Sequence, residues 1–544
     1  MFRPKLIDTL KQYDKAQLYK DLTAGIIVGI VALPLAIAFA IASGVSPEKG
    51  LITAVVAGFI ISVLGGSKVQ IGGPTGAFIV VVYGIVVQYG ENGLVIATIM
   101  AGILLIIMGL TKMGTLIKFI PHPLITGFTT GIALIILTSV IKDFFGLTMG
   151  VVPADFIDKW IAFSRAIPSI NPYAILISAT TVLIILFWPR ITYKIPGSLI
   201  AIILTTVLTR FFPIPVETIS GRYGTISANF TLPHFPDFEW ATIQQMVRPA
   251  FTIAMLAAIE SLLSAVVADG MIGGNHRSNT ELIAQGTANV FSAAMGGIPA
   301  TGAIARTATN VKNGARTPVA GIIHALTLLC IVLVAGKWAG LIPMATLAGI
   351  LVVVAYDMSE WKNFLAIAKG SRSDAAVLIS TFLLTVLVDL TVAIEIGMVL
   401  AAFLFMRNMT KISSVEALTS ENEETDQPDN NIPKLPPGVE LFEINGPMFF
   451  GAAYKFKDAI RAIEKKPKAL IIRMRNVPII DATGINILRD VHASLHKTGT
   501  KLILAEVISE QVMSELKKSR LLFAIGKANV LSSLDKAVER TLHL

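Results

Sequence analysis

The chain has 544 residues, of which 54% are hydrophobic and 15% charged, and its mean hydropathy is +0.71. Soluble globular proteins carry about 25% charged residues, so this balance excludes a purely soluble enzyme and a disordered chain alike. A single cysteine, Cys330, rules out an internal disulfide framework and a cysteine-based zinc site. The formal charge of +9 divides as +7 over residues 1–408, −4 over 409–437 and +6 over 438–544. The basic residues punctuate apolar segments and form no nucleic-acid stripe, so no nucleic-acid partner is expected.

Residues 1–20 set Lys5, Lys11, Lys15 and Lys20 among apolar side chains, which predicts a short amphipathic helix on a membrane surface. No small-residue cleavage site follows, so this is not a signal peptide. From Asp21 to about residue 408 apolar segments dominate. A crossing needs about 20 apolar residues, fewer where it stops at the midplane. Fourteen segments qualify: 21–43, 50–65, 74–88, 92–112, 122–142, 171–189, 196–212, 249–268, 280–297, 299–313, 316–337, 341–357, 373–390 and 391–408. With the N-terminus inside, cytoplasmic loops carry Lys68, Lys112, Lys118, Arg190, Lys194, Arg277, Lys312, Arg316, Lys362, Lys369, Arg372 and Arg407. Lys49, Lys142, Lys159, Arg165, Arg210, Arg222, Arg248 and Lys337 fall outside, mostly in two long loops where the positive-inside rule is weak. Both chain ends then face the cytoplasm.

Spans 3 and 10 are too short or glycine-rich to cross as regular helices. Both open on proline and a similar run, Pro74-Thr75-Gly76-Ala77 and Pro299-Ala300-Thr301-Gly302-Ala303. They stand seven spans apart, and an odd offset reverses their orientation, which is the mark of an inverted repeat with broken helices at the midplane. Small residues also serve close helix packing, and that is the reading for Gly25 and Gly29 in span 1. The first N–H groups of a helix lack internal partners and carry partial positive charge. Two such starts aimed at each other predict an anion pocket. Gly76 and Gly302 would let an anion approach the N–H groups of Ala77, Ala303 and Ile304, with the Thr75 hydroxyl as a further donor.

Ionisable groups inside spans cost several kcal/mol unless paired or functional. Glu260 lies mid-span in "AAIESLLSAVVAD" and Arg306 one turn into span 10, while Asp269 reads as an interface residue, Glu395 is early in span 14 and Asp389 sits in the turn before it. Glu260 and Arg306 could form a helix-locking ion pair. Alternatively, Arg306 completes the positive site and Glu260 is a coupling carboxylate that takes a proton. Ser264, one turn from Glu260, permits a third arrangement in which the two form a sodium site with backbone carbonyls.

Residues 409–437, with "SENEETDQPDNNIPKLPPG", predict a flexible acidic linker. Beyond it, "ELFEI" and "MFFG" read as a hairpin, "AAYKFKDAIRAIEKK", "ATGINILRDVHASLHKTG" and "SEQVMSELKKS" as helices, and "KALIIRMRNV" and "KLILAEV" as strands. Residues 438–544 are thus expected to form a small α/β domain. Asp481 and Thr483 fall in a strand-to-helix turn, where Asp481 could serve as an N-cap or as a regulatory residue. No phosphate-binding GxxxxGK[ST] motif occurs, nor any serine-nucleophile or zinc-hydrolase motif, so an enzyme, an ATP-driven pump, a cofactor and a bound metal are not expected.

The runs "AGIIVGIVALPLAIAFAIASGVSPEKGL", "GGPTGAF", "IESLLSAVVADGM", "NTELIAQGTANV" and "GAIARTATNVKNGARTPVAG", with the α/β tail, resemble SulP-family anion transporters carrying a C-terminal STAS domain. The fine pattern is most similar to the bacterial C4-dicarboxylic acid transporter branch. The resemblance implies a polytopic α-helical protein of 14 spans as a seven-plus-seven inverted repeat in a bacterial inner membrane. A core of spans 1–4 and 8–11 would move against a gate of spans 5–7 and 12–14. It implies substrate contacts from Leu35 and Phe39, from Thr75, Gly76 and Ala77, from Glu260 and Ser264, and from Gly302, Ala303, Ile304 and Arg306. It also implies a homodimer and STAS-domain protein partners. Sodium-dependent bicarbonate members resemble this pattern with Asp where Glu260 stands, which favours proton coupling here. Ala305 lacks the hydroxyl of some relatives. Ala482 replaces a phosphorylatable serine, leaving Thr483 as the only hydroxyl. The expected function is secondary active transport of a small anion such as succinate, fumarate or sulfate; the alternatives are sodium-dependent bicarbonate transport, or a membrane-anchored STAS sensor or scaffold.

Overall fold

A computed structural model of the chain describes residues 2–115, 120–150, 152–153, 155–192, 195–212, 214–224, 240–388, 390–412, 414–417, 435–461 and 466–543. Lys118, Lys194, Asp389 and most of the expected linker (418–434) lie outside the described residues. The chain divides into two compact units, Met1–Val399 and Leu400–Leu544.

Each of the fourteen expected segments coincides with helix, the last of them continuing past Val399. Span 1 is Lys15–Ala42, span 2 Pro47–Leu64, and spans 3 and 4 run within Ile79–Leu110. Gly90 breaks that last helix with φ 69° and ψ −173°, a conformation that favours glycine. Span 5 is His122–Ser139, continued by Ile141–Phe145, span 6 Pro172–Phe187 and span 7 Gly197–Phe211. Span 8 is Trp240–Ile272, span 9 Ser278–Ala294, span 10 Ile304–Lys312, span 11 Val319–Ala339, span 12 Met344–Met358, span 13 Arg372–Leu387 and span 14 Leu390–Ile412. Among the described residues nine helices are long and apolar enough to cross a membrane. Spans 7, 9, 10 and 13 are shorter or more polar, and span 9 buries Glu281, Gln285 and Asn289.

Small residues set the helix spacing. A Cβ on Gly25 would lie 2.5 Å from the Ala320 carbonyl of span 11, and one on Gly29 would lie 2.9 Å from Thr327. The same close approach joins span 4 to span 9, where a Cβ on Gly102 would lie 2.6 Å from the Gly286 carbonyl. Span 5 meets span 13 at Gly127, 2.6 Å from the Leu378 carbonyl by the same measure. With little hydrophobic drive between helices in lipid, such backbone proximity supplies the packing.

The N-terminus departs from the single amphipathic helix expected of residues 1–20. Helix Lys5–Thr9 ends in a short 3₁₀ turn, Leu10–Gln12, and Lys15 already belongs to span 1. Asp14 supplies the reason: its carboxylate caps Gln17 N–H at 2.6 Å and starts the long helix there. The short helix is tied to the protein itself. Lys5 N–H donates to the Gly65 carbonyl at 3.0 Å, and Asp8 pairs with Arg277 at 2.7 Å. Tyr13 donates to the buried Asp21 carboxylate at 3.1 Å, and burial together with that carboxylate pushes the Tyr13 hydroxyl up to about 12.

The second unit is a five-stranded sheet in the order β3–β4–β5–β6–β7, where β1 and β2 are the two short strands of the membrane unit described below. Its strands are β3 (Ser414–Ala417), β4 (Val439–Asn445), β5 (Ala469–Asn476), β6 (Lys501–Ala505) and β7 (Val530–Leu531). β3 and β4 are antiparallel and the remaining pairs parallel. Two sequence readings are corrected here. "MFFG" is not the second strand of a hairpin: Phe450 starts a helix, and Met448 forms only an isolated bridge to Ile480. The antiparallel partner of β4 is instead β3, which lies in the stretch expected to be linker. Alternation of polar and apolar residues over four positions was too short a signal to distinguish it from coil. Helix Ala482–Lys497 packs Ile485, Leu488 and Val491 on one face of the sheet, and helix Leu534–Leu542 packs Ala537 and Val538 on the other.

Candidate functional site

Spans 3 and 10 meet through their backbones. Residues Gly72–Gly73 (β1) and Thr301–Gly302 (β2) form an antiparallel pair, Gly72 opposite Gly302 and Gly73 opposite Thr301. Such a ladder satisfies backbone groups that a broken helix exposes inside a membrane. Glycine is required at this crossing. Gly73 has φ +147°, and a Cβ there would lie 2.6 Å from Arg306 Nη1, while a Cβ on Gly302 would overlap the Gln70 amide.

Polar side chains fix the crossing from every side. Gln70 Nε2 donates to the Ser261 carbonyl at 3.0 Å and Thr301 Oγ1 to the Ala257 carbonyl at 2.9 Å, both on span 8. Asn310 Nδ2 donates to the Val69 carbonyl at 2.9 Å. Asn289 holds Ala300 through both its N–H and carbonyl at 2.8 Å. Glu281 accepts from Gly66 and Ser67 N–H at 2.8 and 3.1 Å and so fixes the turn leading to β1. Sequence reasoning passed over Gln70, Glu281, Asn289 and Asn310. Their signal was available, since uncharged and acidic polar residues inside apolar spans demand partners. His324, wholly buried, also went unremarked.

Past the crossing each chain starts a helix without a side-chain cap. Thr75 occupies the cap position of Gly76–Phe78 in extended conformation, but its hydroxyl donates to Glu260 Oε2 at 2.9 Å and leaves the cap unmade. Ala303 occupies the equivalent position before Ile304 and has no side chain to cap with. The first-turn N–H groups are therefore left to other acceptors, and the helix dipoles add positive potential there. One expected donor is removed: Ala303 N–H is committed to the Ile71 carbonyl at 2.8 Å. The strand pairing that builds the crossing consumes it.

Arg306 supplies the fixed charge. Its side chain is buried, and Nη2 donates to the Pro74 carbonyl. Nη1 is also buried and has no hydrogen-bond partner among the described residues. Among the described residues no ion pair joins Arg306 to Glu260, so the helix-locking pair weighed from sequence is not formed. A buried guanidinium with an idle donor is costly unless an acceptor reaches it.

The structure brings several expected residues together and sets others apart. A Cβ on Gly76 would lie 3.5 Å from Phe39, 3.2 Å from Ile136 of span 5 and 2.9 Å from Met358 of span 12, so apolar groups wall that side. Ile136 and Met358 are additions that no sequence spacing announced. Ala77, Gly302 and Ala303 are buried, whereas Leu35, Thr75 and Glu260 are half-buried and Ile304 is 41% exposed. Ser264 points elsewhere. Its hydroxyl bonds Thr307 Oγ1 at 3.1 Å, and Thr307 in turn accepts Ile71 N–H at 3.0 Å. In the second unit Asp481 caps helix Ala482–Lys497 by accepting Gly484 N–H at 2.7 Å, and Thr483 beside it is half-buried.

Residues 18–381 match the sulfate permease family and residues 433–537 the STAS domain. The chain belongs to the sulfate permease family. YvdB of Bacillus subtilis, whose name assigns sulfate provisionally, is 41% identical over 97% of this chain and 98% of its own length. The bicarbonate transporter BicA of a Picosynechococcus species is 32% identical over 96% of this chain and 94% of its own. The solved structure of the murine anion transporter Slc26a9 aligns with a TM-score of 0.88 over 99% of this chain and 94% of that one, at 19% identity, and shows the same fold. The fold is thus that of a polytopic membrane transporter with a C-terminal STAS domain. These names refer to sulfate and bicarbonate, and give the C4-dicarboxylate branch expected from sequence no support.

Proposed function

We propose that the chain is a secondary active transporter of small oxyanions, with sulfate and bicarbonate the first candidates and C4-dicarboxylates such as succinate the next. The observation that carries this reading is the uncapped pair of helix starts beside the idle Nη1 of Arg306. An anion placed there accepts from first-turn N–H groups and from Arg306 in a site screened from water, where each bond is stronger than in solution. Gly76 and Phe39 would shape the pocket, with Leu35, Ala77, Gly302, Ala303 and Ile304 lining it.

Glu260 is the coupling group. As a carboxylate it accepts from Thr75; protonated, it removes a negative charge from the neighbourhood of the anion and favours loading. Proton coupling is preferred to sodium because sodium-dependent bicarbonate members resemble this pattern with Asp where Glu260 stands. Alternating access would come from an elevator-like movement of spans 1–4 and 8–11 against spans 5–7 and 12–14. Ile136 and Met358 of the second set already touch the Gly76 side of the pocket. The protein would work as a homodimer in a bacterial plasma membrane, both ends in the cytoplasm, and Asp481 and Thr483 would contribute to binding a cytoplasmic STAS partner.

Purified full-length protein in liposomes tests the proposal. Labelled sulfate, bicarbonate and succinate are each offered under an inward proton gradient, an inward sodium gradient and neither. Uphill accumulation of at least one anion under the proton gradient is expected. Folded protein that accumulates none of them would overturn the assignment.

A further inference from the structure

A cavity of about 580 Å³ opens in the membrane unit near the C-terminal end of span 1, on the face opposite the chain's N-terminal segment. Ala38 and Ile79 line it, next to Phe39 and three residues beyond Gly76, but Thr75, Gly76, Glu260, Gly302 and Arg306 do not. Its wall includes the amphipathic helix Phe156–Ala166, which joins spans 5 and 6. We propose that this cavity is a second anion site, a capture site for small inorganic oxyanions such as sulfate, with the Lys159 ammonium as its principal ligand.

Lys159 is the residue that marks the site. Its side chain is buried to 5% exposure, yet it lines the cavity. Among the described residues no carboxylate lies within 4.0 Å of its Nζ, and no hydrogen bond to that atom is formed. Its one described contact is the Tyr83 ring, with Nζ 5.3 Å from the centroid. A cation–π contact is worth about 0.5–2 kcal/mol, less than the several kcal/mol that burying an unpaired ammonium costs. Burial accordingly lowers the Lys159 pKa from its ordinary value, with Asp155 opposing the shift.

The other charges around the cavity compensate that ammonium only in part, through Asp155. Arg222 is matched by Asp143 at 2.7 Å and by Glu217. Among the described residues Lys142 donates to the Met149 and Gly150 carbonyls at 3.2 and 3.4 Å, and Arg248 also lines the wall. Asp155 and Glu395 line it too but are exposed, so water screens them more than it screens Lys159. An oxyanion beside Nζ would exchange part of its hydration for a charge-assisted bond at a point adjoining the crossing. This site stands apart from the transport reading, because binding there needs no turnover.

Protection from acetylation tests it on the unmodified protein. Purified full-length chain is treated with acetic anhydride in sodium sulfate or in sodium gluconate of equal ionic strength, and Lys159 modification is followed by mass spectrometry against the exposed Lys536. At a tenfold excess over the half-protecting concentration, sulfate should slow Lys159 acetylation about tenfold and leave Lys536 unchanged. The same protection is expected in Arg306→Ala, which disables the central crossing. Equal rates in the two salts, slowing shared with Lys536, or protection that disappears in Arg306→Ala would each overturn the proposal. The first measurement uses no variant, so misfolding cannot obscure it.

Discussion

The helix start at Gly76 and the one at Ile304 share a proline, a two-residue strand and an uncapped first turn, but Pro74 follows its strand Gly72–Gly73 whereas Pro299 precedes Thr301–Gly302. Their chemistry is divided between them. The first carries Thr75, whose hydroxyl reaches Glu260, and the second carries Arg306, whose guanidinium reaches back to Pro74 of the first. The two starts thus supply two helix dipoles, one with a carboxylate bonded beside it and the other with a guanidinium. On the proposed reading the repeat would make a site for an anion, and the asymmetry between its copies would couple that site to a second ion.

Removing the fixed charge should have the largest effect. Arg306→Ala is expected to lower kcat/KM for sulfate by about 100-fold or more, corresponding to roughly 2.7 kcal/mol. Lysine at 306 should restore only part of this, because an ammonium cannot hold the Pro74 carbonyl and an anion in the same planar geometry. Uptake assays on protein with unchanged thermal stability check both. The next largest effect falls on folding: Gly302→Ala forces a methyl into the Gln70 amide and should cost about 1–3 kcal/mol, seen as a lower unfolding temperature in detergent.

On the responsive side, Glu260→Gln should flatten the pH dependence of uptake while keeping anion exchange. A variant whose pH profile matches the parent would remove Glu260 from coupling and leave the two starts chemically equivalent. Thr75→Val removes the bond to Glu260 and should change transport by about three- to tenfold, the weight of one hydrogen bond of about 1 kcal/mol. The smallest transport effect is expected far along the chain: Asp481→Ala loses an N-cap worth about 1 kcal/mol to STAS-domain stability and should leave uptake by the membrane unit within twofold.

What could be read from sequence follows the range of each interaction. Long apolar runs and paired Pro/Gly breaks are local signals, and helix coincides with each of the fourteen expected segments. The pairing of β1 with β2 joins residues more than 200 positions apart, so sequence suggested their meeting but not that Ala303 N–H would be spent on it. Ser264 sits one turn from Glu260 in sequence terms, yet its rotamer turns it to Thr307 on another span. β3 escaped because a four-residue edge strand carries little pattern and its partner lies beyond an acidic, proline-rich stretch. Polar residues inside apolar spans, Gln70, Glu281 and Asn310 above all, were visible but read as background. Each turned out to hold backbone at or next to the crossing.

The central claim is that the two helix starts and Arg306 hold one anion between them. Selenate, a sulfate analogue with an anomalous scattering signal, locates that anion directly in a crystal of the full-length protein. The account predicts a selenium peak between Gly76 and Ile304, within hydrogen-bond reach of first-turn N–H groups and of Arg306 Nη1. A peak absent from this position, in crystals that bind selenate elsewhere in the membrane unit, would contradict it.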